Sequence, residues 1–93
     1  MESDRAIAVA AGAGTTVLSV KPGRLLNVLV TAAGTGSGNV TFYDNASAGS
    51  GTVIGEFPAT VSVGQQYSFG MPAQVGVTAV NPANGPGFTA SVR

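Results

Sequence analysis

VTFYDNASAGSGTVIGEF, residues 40–57, sets two apolar runs around a soft stretch of small and polar residues from Asp44 to Gly51. Val40 and Phe42 alternate with Thr41 and Tyr43, and the period of two is that of a strand with one face buried. Val53 and Phe57 share a face on the far side of the stretch, so the whole reads as strand, turn, strand. Asp44 and Asn45 suit the turn, because their short side chains can bond their own backbone as Asx residues. Asn45-Ala46-Ser47 also matches a glycosylation acceptor, a pattern common by chance that requires a secretory route.

The same alternation extends in both directions. Phe88, Ala90 and Val92 alternate with Thr89, Ser91 and Arg93, while Tyr67, Phe69 and Met71 share one face, as do Val75, Val77 and Ala79. Fourteen Gly and five Pro cut the chain into segments too short for helices. Eight strands follow, near 6–11, 15–21, 24–33, 39–43, 51–58, 65–71, 74–81 and 87–93. Their even spacing predicts an all-β, single-domain antiparallel sandwich over 6–93, jelly-roll or immunoglobulin-like, behind a polar arm at 1–5. KPG at 21–23, GTGSG at 34–38, MPA at 71–73 and NPANGPG at 81–87 supply the turns.

One strand breaks the pattern. In RLLNVLVTAA, Leu26, Val28 and Val30 form one face and Leu25, Asn27, Leu29 and Thr31 the other. If the first set meets the core, Leu25 and Leu29 lie where a half-wet strand carries polar groups. Two covers are open: a neighbouring subunit, or the N-terminal segment folded over the outer face.

Composition narrows the chemistry. The 93 residues hold no Cys and no His, and the only carboxylates are Glu2, Asp4, Asp44 and Glu56. Serine nucleophiles rely on an adjacent base, most often His, and a thiol nucleophile needs Cys. Glycosidase chemistry needs two carboxyls across a cleft, and only Asp44 and Glu56 lie outside the first five residues. GAGTTV and GTGSG lack the spacing of dinucleotide and phosphate loops. DNASAGSG offers one carboxylate where calcium takes several oxygen ligands. The expectation is a non-enzymatic protein without metal or cofactor.

Four basic residues balance four acidic ones, which gives no electrostatic footprint for nucleic acid. MESDRAIAVAAGAG starts acidic where a secretory signal starts basic, and no apolar run is long enough for a membrane span. Folding in a reducing cytoplasm is therefore expected. So few charges, over a core rich in Ala and Val, also suit a surface that is covered by a partner.

GRLLNVLVTAAGTGSGNVTFYDNASAGSGTVIGEFP, followed by FGMPAQVGVTAV and a closing strand after a Gly/Pro loop, resembles small proteins encoded in the structural modules of tailed bacteriophages. The likeness covers roughly residues 23–93. It is carried by Gly23-Arg24-Leu25, Tyr43-Asp44-Asn45-Ala46-Ser47, Gly51-Thr52-Val53-Ile54-Gly55 and Met71-Pro72-Ala73. The resemblance implies a capsid decoration, or cement, protein on the outer surface of the virion. Its partners would be the major capsid protein and itself, as a homotrimer in preference to a dimer, with no nucleic acid and no membrane. Leu25, Asn27, Leu29 and Thr31 are then candidates for the oligomer or capsid interface. Met1, Glu2, Ser3, Asp4 and Arg5 are candidates for an arm that orders on the shell. A receptor- or carbohydrate-binding surface module and a generic fibre or tail subunit are the alternatives.

Overall fold

The computed structural model describes residues 4–36 and 38–93. Eight strands run in chain order: β1 (Arg5–Val9), β2 (Gly14–Ser19), β3 (Gly23–Ala32), β4 (Asn39–Tyr43), β5 (Val53–Pro58), β6 (Gln66–Ala73), β7 (Val77–Asn81) and β8 (Gly87–Val92). Among the described residues there is no helix. All strand pairs are antiparallel, and they form two four-stranded sheets in the orders β1-β8-β3-β6 and β2-β7-β4-β5.

This order follows from one nested hairpin. β4 turns directly into β5, and outward from that turn β3 pairs β6, β2 pairs β7 and β1 pairs β8. Rolling the long hairpin over itself brings β3 against β8 and β4 against β7, closing the two sheets. That is jelly-roll topology, so of the two sandwich types expected the structure takes this one. The molecule measures 36 × 24 × 17 Å.

The rings assemble where the sheets face each other. Phe42 of β4 meets Phe88 of β8 edge-on at 5.7 Å between centroids, and Phe57 of β5 stacks on Tyr67 of β6 at 4.8 Å. Phe42, Phe57 and Phe88 are buried, as are Val28, Val30, Val40, Ala90 and Val92. Such aromatic pairs add about 0.5–1.5 kcal/mol each beyond the area they bury.

Register shifts on β3, β6 and β5 change the strand phase. The register of β3 against β8 slips between Leu25 and Asn27, so Leu26 is an extra residue and Leu25 turns inward, fully buried. The expected face of Leu25, Asn27, Leu29 and Thr31 is thereby corrected: Leu25 is core, Leu26 is half-buried, and the other three are exposed. On β6 the extra residue lies between Ser68 and Met71, with Gly70 at φ 61°, which leaves Met71 exposed rather than beside Tyr67 and Phe69. On β5 the slip makes Ile54 the buried residue and Val53 an exposed one. Val75 is likewise exposed, because it lies in the β6–β7 loop ahead of the strand.

The N-terminal segment does not cover the outside of β3. β1 lies edge-on in the same sheet, beyond β8. Arg5 opens that strand opposite Val92, so the sandwich starts one residue before the expected boundary at Ala6.

Candidate interaction surface

The turn at residues 44–51 is a built structure. Asn45 Oδ1 accepts the backbone N–H groups of Ser47 and Ala48 at 2.8 and 2.9 Å, and its Nδ2 donates to Ser50 O at 3.0 Å, as an Asx turn requires. Asp44 does something different from the local turn expected of it. Its carboxylate accepts N–H groups from the β6–β7 loop, Gln74 at 3.0 Å, Val75 at 2.8 Å and Gly76 at 3.3 Å. These donors, Gln74 first and Val75 next, hold its pKa below the ordinary value. The β4–β5 loop also folds back over its own sheet, where Thr78 Oγ1 donates to Asn45 O at 2.7 Å and Thr78 is fully buried. The motif is scaffold.

Charge is sorted by position. β1 and β8 pair with Val9 opposite Phe88, and β3 ends with Ala32 opposite Gly87, so the loops at 10–13, 33–36, 59–65 and 82–86 share one end of the sandwich. Asp4, Arg5, Lys21, Arg24, Asp44 and Arg93 all lie at the other end. Among the described residues only Glu56, which accepts a hydrogen bond from Thr41 Oγ1 at 3.1 Å, carries charge away from it. The uncharged end is tied by its own backbone: Thr35 and Gly36 donate N–H groups to Asn84 O at 2.9 and 2.8 Å, and Thr60 Oγ1 donates to Gly36 O at 2.7 Å.

The uncharged surface continues onto the outer face of the β1-β8-β3-β6 sheet. Strand register places Ala6, Ser91, Asn27 and Ser68 in one row across the four strands, and Ala8, Thr89, Leu29 and Gln66 in the next. Ser68 Oγ donates to Asn27 Oδ1 at 3.0 Å within the first row. Leu29, 41% exposed, is the one large apolar side chain in the two rows. Asn27, Leu29 and Thr31 thus lie together on this face as their spacing implied, and Leu25 does not. Ala6, Ala8, Gln66, Ser68, Thr89 and Ser91 complete the rows. The wet side of each strand was readable from alternation, but their adjacency depends on which strand lies next to which.

The arm candidates divide. Met1, Glu2 and Ser3 lie outside the described residues. Asp4 pairs with Arg93 Nε at 2.8 Å, and Arg5 Nη2 donates to Ser19 Oγ at 3.3 Å, linking the two sheets. Both are engaged with the body of the sandwich.

Among the described residues no three of His, Cys, Asp and Glu gather as a metal would require. Phe42, Phe57 and Phe88 lie in the core, with Tyr67 and Phe69 packed against it. Compared with family models, curated proteins and solved structures, the chain has no match.

Proposed function

We propose that this protein is a non-enzymatic structural subunit of a tailed-phage head, a cement protein that seats on the outer surface of the shell and bridges neighbouring major capsid subunits. The observation that carries the reading is the uncharged surface running from the four-loop end onto the outer face of the β1-β8-β3-β6 sheet. The centres of permanent interfaces are poor in ions, because each buried charge must find a partner or bear its desolvation cost. A face of Ser, Thr, Asn, Gln, Ala and one Leu meets a neighbour without that cost. Modest affinity per shell subunit suffices, since a ligand bridging several subunits gains effective concentration.

Jelly rolls serve viral capsids and lectins alike, so the fold decides nothing between them. A sugar-binding surface module is less well supported, because five of the six rings are in the core or packed against it.

The test is cosedimentation of the purified protein with undecorated tailed-phage heads, alongside Leu29→Asp and Thr89→Asp. Binding by the wild type, lost in both variants, supports the reading. A wild type that stays in the supernatant at high micromolar concentration overturns it. Binding that both variants retain moves the contact away from this face.

A further inference from the structure

The four edge strands of the sandwich are not equally defended. β5 carries Glu56, ends in Pro58 and is bulged at Ile54. β6 contains Pro72 and the bulge at Gly70. β2 slips register between Val17 and Ser19. These are the devices that keep an exposed edge from pairing with another strand. β1 has none of them beyond Arg5 at its first position: its five residues stay in unbroken register with β8, and among the described residues no strand pairs with its other side. It also leaves an inward-facing side chain incompletely covered. Ile7 is only half-buried, whereas Ala90 opposite it is fully buried.

We propose that β1 is a self-recognition edge, and that a second copy of this chain pairs with it, antiparallel, about a two-fold axis through Ile7. That register sets Ile7 beside the partner copy's Ile7, completing the burial each lacks. It sets Ala6 beside Ala8, two small side chains that permit close approach, and Arg5 beside Val9, which keeps like charges apart. The product is one continuous eight-stranded sheet. The occupant is a second copy because the strand complements itself: an Ile at its centre, Ala on either side and one charge placed off the axis. The contact is small, so the dimer forms in a concentration-dependent way. The pairing does not rest on the shell-binding reading; where that reading holds, the dimer presents two copies of the shell-binding face.

The chain has no Cys, so single-cysteine variants report geometry cleanly. In the proposed dimer two Ala8→Cys residues lie on the diagonal of the β1 pair, about 7–8 Å apart. Two Leu29→Cys residues are separated by five strand spacings, about 24 Å. Light scattering should show the wild-type mass rising from 9.1 kDa towards twice that value with concentration. A short bis-maleimide should cross-link Ala8→Cys much faster than Leu29→Cys. A mass that stays at one chain throughout, or a dimer in which Ala8→Cys cross-links no faster than Leu29→Cys, overturns the proposal. Either result leaves the head-binding experiment to be judged separately.

Discussion

The backbone of Gly85 packs directly on the side-chain oxygen of Asn81. A Cβ at residue 85 would overlap Asn81 Oδ1 and stand 2.8 Å from Pro82 O, both closer than contact distance. Asn81 Nδ2 meanwhile donates to Ala10 O at 3.1 Å and Pro86 O at 2.8 Å, tying the β1–β2 and β7–β8 loops at the uncharged end. Its Oδ1 is buried with no hydrogen-bond donor among the described residues, so the Cα–H groups of Gly85 are its neighbours instead.

Gly85→Ala should therefore be costly. The methyl group must displace Asn81 or the loop backbone, and overpacking of this kind costs about 1–3 kcal/mol. Asn81→Ala should cost a similar amount, about 1–3 kcal/mol, by removing the Asn81 donor from the buried Pro86 carbonyl, whereas Ala10 O keeps the N–H of Ala13. Urea denaturation checks both, and a Gly85→Ala midpoint equal to the wild type would mean that the loop has room.

The bulge at Leu26 makes a sharp contrast between two leucines on one strand. Leu25→Ala removes a fully buried side chain and should destabilise by about 2–5 kcal/mol. Leu29→Ala changes an exposed position and should stay within about 0.5 kcal/mol. Plain alternation from Leu25 to Thr31 assigns the two leucines to the same face and predicts similar effects, so paired denaturation curves decide between the two phases.

Strand positions were legible because Gly and Pro punctuate a period of two, and the core residues Val40, Phe42, Phe88, Ala90 and Val92 follow from it directly. The inversions at Leu25, Ile54 and Met71 were not legible, since a bulge inserts one residue without a residue type that marks it. At Gly70 a marker exists, but a strand Gly is equally read as a turn. Strand order was not legible either, because antiparallel pairing of β1 with β8 joins the two ends of the chain, and only the closed sandwich requires it. The uncharged face inherits that limit: Asn27, Leu29 and Thr31 could be grouped on one strand, whereas Ser91 and Ser68 join them only through topology. Asp44 was readable as a turn residue, but its partners in the β6–β7 loop lie far along the chain.

Asp44 gives the fold an acid-sensitive contact. Its pKa is lowered in the folded state by the N–H groups of Gln74, Val75 and Gly76, against an ordinary value of 3.8. A carboxylate with a depressed folded pKa contributes stability that is present above its unfolded value and is lost as pH falls through the folded one. Thermal melts from pH 7 down to pH 2 should show the wild type losing an increment of stability below about pH 4 that Asp44→Asn lacks throughout. At neutral pH Asp44→Asn should melt lower than the wild type. Parallel acid limbs for the two proteins would mean that the carboxylate contributes nothing by its charge.

Gly70 separates backbone strain from packing. Its φ of 61° lies in the left-handed region, and a Cβ there would meet nothing within 4 Å. Gly70→Ala therefore carries only the conformational cost, about 1–2 kcal/mol. Gly70→Asn should recover part of it, because Asn tolerates this region better than other side chains. Arg24 Nη1 donates to Gly70 O at 2.5 Å, so a backbone that relaxes out of the left-handed region also disturbs that bond. If alanine and asparagine cost the same in denaturation, steric crowding rather than φ governs the position, and the β6 bulge is not held by its glycine.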